Sequence, residues 1–432
     1  MTGDPPNPPA SVSAPESADE PTVLPLACPM DGVPEVCASA AEIARAADIL
    51  AGGTGPFAVD AERASGYRYS NRAYLIQIRR TGAGTVLIDP VNHGGSPIDV
   101  LAPVAEVLNS QEWVLHAADQ DLPCLAELGL HPPALYDTEL AGRLAGFERV
   151  NLAAMVQRLL GLGLSKGHGA ADWSKRPLPA EWLNYAALDV EVLLELRTRV
   201  AAVLAEQGKT AWAAEEFEHL RAAKPTPTRR DRWRRTSGIH KVRTPEGLAA
   251  VRELWTARDR IARTRDIAPG RILPDSAIVA AALANPKTLE ELCALPFFGG
   301  SKQRHGAAVW LSALQDARAT SDLPDINEPL IGPPPPLRWA RRNPEAAARL
   351  ESVKAALNRR AEELGLPTEN LLSPELARRL CWDWQPPSDP GQSLAVVSAT
   401  LTGGGARKWQ CELAAPVLVA ALTGPAEPAA EG

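Results

Sequence analysis

Three apolar runs in the first quarter of the chain, GPFAVDAE (55–62), AYLIQIRR (73–80) and GTVLIDPV (84–91), succeed one another with turn-forming residues between them. Runs of this length, rich in β-branched and aromatic residues and bounded by Gly, Asn and Pro, read as strands, so the three form a meander. Beyond the meander the pattern alternates. PIDVLAPVAEVLN has helical spacing, EWVLHAA reads as a strand, and DQDLPCLAELGL returns to a helix. AAEIARAADILAG, ahead of the meander, is also helical, and a long helix is expected from about Pro179 to Gln207. A meander joined to strand–helix alternation predicts an α/β domain built on a mixed sheet.

The rest of the chain is organised by shifts in composition. Residues 1–30 are rich in Pro, Ser, Ala and acids, which predicts a disordered tail. The α/β domain is expected over 31–222, with a basic linker over 223–238 after it. Helical domains are expected over 239–320 and 339–425, with a stiff Pro-rich linker over 321–338 between them and a short tail over 426–432. No apolar run approaches the ~20 residues of a membrane span. The start of the chain has neither a basic n-region nor an apolar h-region, and six scattered cysteines show no CxxC pairing. These features predict a cytoplasmic protein with no structural zinc site and no membrane contact. The net charge of −7 is unevenly spread: residues 1–40 hold six acids and no Lys or Arg, whereas residues 221–271 carry 15 Lys/Arg against 5 Asp/Glu. A local basic block in an acidic chain suggests a polyanion contact, although such runs are commonly solvated helix faces.

Carboxylates mark the chemistry. Asp60 and Glu62 end the first strand two residues apart and so project to the same side. Two like charges held that close raise each other's pKa unless a cation joins them. Asp119 and Asp121 begin a helix after the next strand, where a plain capping role is the common alternative. Tyr185 and Asp189, four apart in NYAALDVEVL, share a helix face. Oxygen-only ligands of this kind suit Mg²⁺ or Mn²⁺ rather than zinc. Two such ions can clamp an in-line phosphoryl displacement.

The succession of a strand DxE, a strand-to-helix Asp and a helical YxxxD resembles the DEDD superfamily of 3′-to-5′ exonucleases in its tyrosine branch, and within it the ribonuclease D family. FAVDAE with AYLIQI, VLHAADQDL and LSKGHGAADWSKRPLPAEWLNYAALDVEVL carry the likeness. RELWTARDRIARTRDIAPGRILPD with TLEELCALPFFGGSKQRHG resembles the HRDC module, a helical nucleic-acid-binding domain, and the last helical segment resembles a divergent second copy. The resemblance implies a ribonuclease-H-like mixed-sheet exonuclease domain succeeded by two all-α HRDC-like domains. It implies that Asp60, Glu62, Asp121 and Asp189 hold two divalent cations, Asp121 being preferred to Asp119 because an acid directly before a Leu fits the family pattern. Tyr185 is expected to orient the attacking water and help deprotonate it.

Gln77, His116, Lys166, Trp173 and Arg176 lie in the matching blocks. Lys166 and Arg176 are candidates for phosphate contact and His116 for lining the terminal-nucleotide pocket, with core packing the rival for His116 and Trp173. Ala171 departs from the Ser or Thr usual before the DW pair. In the HRDC-like module, Arg258, Arg260, Arg263, Arg265, Arg271 and Lys302 are expected to form a platform for substrate, the glycines of FFGG shaping a tight turn. The expected partner is RNA with a free 3′ end, such as the single-stranded tail of a tRNA precursor, trimmed by a monomer that releases nucleoside 5′-monophosphates. A repair-type DNA exonuclease and a non-catalytic nucleic-acid-binding protein are the alternatives.

Overall fold

A computed structural model describes residues 23–91, 95–165, 167–224, 231–326 and 332–424. The meander forms as expected from β3 (Thr54–Arg63), β4 (Ala73–Thr81) and β5 (Gly84–Ile88), preceded by two short strands, β1 (Leu24–Leu26) and β2 (Val36–Cys37), and by helix α1 (Ala40–Ala51). The alternating stretch supplies α2 (Pro97–Leu108), β6 (Trp113–Leu115), α3 (Leu122–Ala126), β7 (Leu135–Asp137), α4 (Thr138–Leu144), α5 (Leu152–Leu160) and β8 (Leu162–Leu164). Six strands make one sheet in the order β2-β5-β4-β3-β6-β7. β3, β4 and β5 pair antiparallel, while β6 and β7 extend the β3 edge in parallel. The mixed sheet expected from the sequence is therefore present.

Side-chain alternation along β3 decides what faces what. Phe57, Val59 and Ala61 enter the core beneath α1 and α2. Ala58, Asp60 and Glu62 take the other face, where α6 (Ala180–Glu191) packs on β3, β4 and β5. The long helix expected to Gln207 is instead two. It breaks at Val192, and α7 (Leu193–Glu206) packs on α4 and α5 before α8 (Thr210–Arg221).

The chain then becomes entirely helical among the described residues. The second unit comprises α9 (Pro245–Arg265), α10 (Pro269–Ile272), α11 (Asp275–Ala284), α12 (Leu289–Cys293) and α13 (Ser301–Ala319) around its own core. After the single turn α14 (Trp339–Arg342) come α15 (Pro344–Leu364), α16 (Thr368–Leu371), α17 (Pro374–Asp383), α18 (Ser393–Gly403) and α19 (Lys408–Thr423). Both units open with a 21-residue helix started by Pro, then a 4-residue turn, a 10-residue helix and two more helices. That shared order gives the family likeness of the two units a structural basis. No helix of the described residues is long and apolar enough to cross a membrane.

Candidate active site

β3 and α6 face each other, so the two ends of the sequence pattern meet. One carboxylate oxygen from each of Asp60, Glu62 and Asp189 lies within 4.8 Å of the others. Asp121 lies outside that set but stands beside Asp60, each carboxyl shifting the other's pKa. It occupies the N-cap position of α3 but makes no side-chain cap bond, so its carboxylate is turned to the cluster. Asp119 is exposed.

Electrostatics result from burial. Glu62 is pushed up to about 10, first by burial, then by Asp60, Asp189 and Asp121. Asp60, Asp121 and Asp189 are raised too, each chiefly by burial. Among the described residues the cation at the rim is Arg63, whose Nη2 stands 3.7 Å from Asp121. Four carboxyls gathered out of water with Arg63 at their periphery hold protons at neutral pH, or exchange them for metal. An all-oxygen donor set at this spacing fits hard divalent cations.

Tyr185 lies one helical turn from Asp189 on α6, where its hydroxyl lowers the carboxyl's pKa and the carboxylate raises that of the hydroxyl. Burial and the neighbouring carboxylates hold its pKa far above the ordinary phenol value, so the hydroxyl remains a proton donor. The loop after β8 crosses its ring. A Cβ on Gly167 would collide with the Tyr185 side chain, and the His168 imidazole stands edge-on at 5.9 Å.

Family models place these features. The 3′-5′ exonuclease model matches residues 35–205, the HRDC domain model residues 247–314, and a model described as the 3′ to 5′ exonuclease C-terminal domain residues 332–422. A ribonuclease D of Nitrobacter hamburgensis is 30% identical over 69% of this chain and 76% of its own length. The chain belongs to the ribonuclease D family. It is accordingly a 3′-to-5′ exoribonuclease, and the exonuclease, HRDC and C-terminal units are those of the family. A ribonuclease D of Jannaschia is 33% identical over 54% of the chain and 61% of its own length. Among solved structures, a protein from Bifidobacterium adolescentis matches 93% of the chain and 100% of its own, at 36% identity and a TM-score of 0.84. Escherichia coli RNase D, an exoribonuclease involved in structured RNA processing, shares the fold at 23% identity over 90% of this chain and 98% of its own, with a TM-score of 0.64.

Around the ribonuclease D carboxylates, the expected substrate contacts sort differently. Arg176 is spent on structure: it pairs with Asp89 at 2.6 Å and donates to the carbonyls of Trp173, Lys175 and Tyr74, each at 2.7 Å. Gln77 lies directly across the ladder from Asp60 but is fully buried, leaving a substrate no surface to touch. His116 is a packed histidine, its Nδ1 2.9 Å from the Thr138 hydroxyl and its pKa brought down to about 4 by burial. Trp173 is fully buried against Trp182. Lys166 lies outside the described residues. Lys302 sits in the first turn of α13, with its side chain outside them. Phe298 is core, while Phe297 is exposed at a positive φ of 74°.

Two HRDC arginines hold the units together instead of standing free. Arg271 donates to the Gly66 carbonyl at 2.7 Å and lies 4.1 Å over the Tyr67 ring. Arg263 reaches the Tyr69 hydroxyl at 3.3 Å and Asp259 at 3.1 Å. Arg258 is buried on Asp275, which leaves Arg260 and Arg265 as the exposed remainder of the expected platform among the described side chains.

Sequence reasoning missed Asp137. Its carboxylate accepts from the backbone of Ala117 and Ala118 and caps α4 through Leu140, fixing the turn that carries Asp121. Ala117 sits at a φ of 59°, a conformation alanine adopts only when its surroundings impose it. A strand ending in Asp before TEL carried the cap signal but not the second duty. Arg63 had no sequence signal beyond adjacency to Glu62.

Proposed function

We propose that the protein removes nucleotides one at a time from a free RNA 3′ end by two-metal-ion hydrolysis, releasing nucleoside 5′-monophosphates. Asp60, Glu62, Asp121 and Asp189 would hold the two cations, Mg²⁺ or Mn²⁺. The observation that carries the reading is the meeting of three carboxylate oxygens within 4.8 Å at the junction of β3 and α6. Bound there, the cations supply Lewis-acid activation of water and neutralise charge on the departing 3′-oxygen. Water oxygen forms the new bond to phosphorus, the P–O3′ bond breaks, and the 3′-oxygen leaves with a proton.

The chain's own part is alignment. Tyr185, kept protonated by its surroundings, acts as an orienting donor rather than as the base. Tyr185→Phe should therefore lower kcat by about 10²-fold, at the low end for a positioned proton-transfer group, with KM and divalent-cation affinity nearly unchanged. Single-turnover rates and a metal titration check this; a loss of metal affinity equal to the loss of rate would assign Tyr185 to the cage instead.

Structured RNA with a single-stranded 3′ tail, tRNA precursors included, is the substrate we favour. It is supported by the family and by the Escherichia coli relative's part in structured RNA processing. The site would act in the cytoplasm as a monomer, three units on one chain serving one substrate end. The test is trimming of matched end-labelled RNA and DNA with and without metal, by wild type and by Asp60→Asn. Single-nucleotide shortening of RNA, by wild type with metal only, is expected. Equal shortening of DNA would return the protein to the repair class.

A further inference from the structure

With much of the basic block spent on the seam between units, its remaining charge is found in a different place. A cavity of about 730 Å³ opens between the HRDC unit and the C-terminal unit. Arg234, His240 and Arg243 reach it from the first linker and the residues after it, Arg338 and Arg342 from the second linker and α14, and Trp382 from α17. Among the described residues, no Asp or Glu lines it.

Three of these arginines, Arg243, Arg338 and Arg342, are exposed and make no ion pair with any described residue. Arg234 is committed, donating to the Asp325 carbonyl and lying over the Trp233 ring. Most of the other arginines named here are neutralised: Arg258 by Asp275, Arg263 by Asp259, Arg176 by Asp89. Gathering unpaired guanidinium groups around one concavity costs repulsion that a folded chain gains nothing from by itself. Trp382 is half-buried beside them, its ring 5.0 Å from the fully buried Trp339, whose indole N–H is fixed on the Pro334 carbonyl. A positively charged concavity with an anchored aromatic at its wall is the chemistry of a single-stranded nucleic-acid track.

We propose that this cleft is a second RNA site, holding backbone phosphates and one base of the strand upstream of the 3′ end under cleavage. The inference rests on the exonuclease reading only for the identity of the strand; the cleft's affinity can be measured without turnover.

The test compares wild type with Arg243→Ala/Arg342→Ala on a hairpin RNA carrying a long 3′ tail and on a tetranucleotide. Arg45→Ala/Lys408→Ala, two exposed cations that do not line the cleft, controls for net charge. Binding is measured by anisotropy in chelator, trimming in Mg²⁺. The cleft variant should bind the tailed hairpin about tenfold more weakly and lose about 1.4 from the slope of log K against log salt, at ~0.7 per single-strand phosphate contact. KM for that RNA should rise in step, with kcat and all tetranucleotide kinetics unchanged. An unchanged Kd, an equal effect from the control pair, or an equal loss on the tetranucleotide would overturn the proposal. If wild type binds the hairpin but cleaves nothing, the exonuclease reading fails while the cleft stands or falls on the anisotropy alone.

Discussion

Glu62→Gln should abolish trimming and at the same time stabilise the metal-free protein. The same fact drives both results. Glu62 is buried with three other carboxyls, and its pKa is pushed up to about 10. Unfolded, a glutamate titrates near its usual ~4.3. The folded, metal-free chain therefore binds more protons than the unfolded one across the interval from about 4.5 to 10. By linkage, the stability this group contributes is fully present below that window and is lost as pH rises through it. Wild type in chelator should thus melt at progressively lower temperature from pH 6 to pH 9. Glu62→Gln, which cannot ionise, should melt higher at pH 8 and show a flatter profile. Divalent cation reverses the order, stabilising wild type and not the variant. Addition of Mg²⁺ or Mn²⁺ to wild type in weak buffer should release protons, because ligation requires the carboxylates ionised. Loss of one ligand removes several kcal/mol of charge stabilisation, or about 10³-fold in rate. Melting curves across pH, with and without chelator, settle the matter. A variant no more stable than wild type at pH 8 would mean the cluster is neutralised by something other than protons or metal.

The core of this site was legible because it depends on local periodicity. Residues i and i+2 of a strand share a face, and so do i and i+4 of a helix, which gave Asp60 with Glu62 and Tyr185 with Asp189 without any knowledge of the fold. The sequence alone left Asp119 and Asp121 open, because both precede a helix. What separates them is the turn imposed by Asp137 from a neighbouring strand, a tertiary contact with no local signature. The same reason hid Arg63 and the passage of Gly167 over Tyr185. Arginine was read least well. Charge type predicts a phosphate contact, but Arg176, Arg258 and Arg271 find carboxylates, carbonyls and rings within the protein. Arginine's planar fork serves both purposes equally, and only the fold shows which partner arrives first. Among the elements, the long strands and helices were readable, whereas β7 and β8, three residues each, are too short to display a period. The break at Val192 has no Gly or Pro to announce it.

Trp409→Ala is expected to unfold the catalytic unit along with the C-terminal one. The two helical units are attached by different physics. The HRDC unit keeps a separate core and meets the catalytic unit through the polar and cation–π contacts of Tyr67, Tyr69, Arg263, Asp266 and Arg271. The C-terminal unit shares one continuous core with the sheet: Ala58, Val114, Leu196 and Val200 belong to the same cluster as Leu350, Trp409 and Leu418. Trp409 stands at that join, 1% exposed and stacked on Trp212 of α8 at 5.1 Å. Its indole N–H donates to Glu216 at 2.9 Å, and Arg407 pairs with the same carboxylate at 2.7 Å. Nearby, Lys209 ties the Leu144 carbonyl to that of Gly365, at 2.8 and 3.0 Å. Gly146 admits the approach because a Cβ there would collide with the Gly365 oxygen. Truncating a buried tryptophan costs about 3–5 kcal/mol through lost burial and the cavity left behind. Here it also takes one partner from a buried carboxylate. Urea unfolding monitored by tryptophan fluorescence and by residual trimming should show both signals shifted together to lower urea. The shared core demands that coincidence. Loss of the C-terminal signal first, with activity surviving to the wild-type midpoint, would show instead that α8 and the sheet stand without α19.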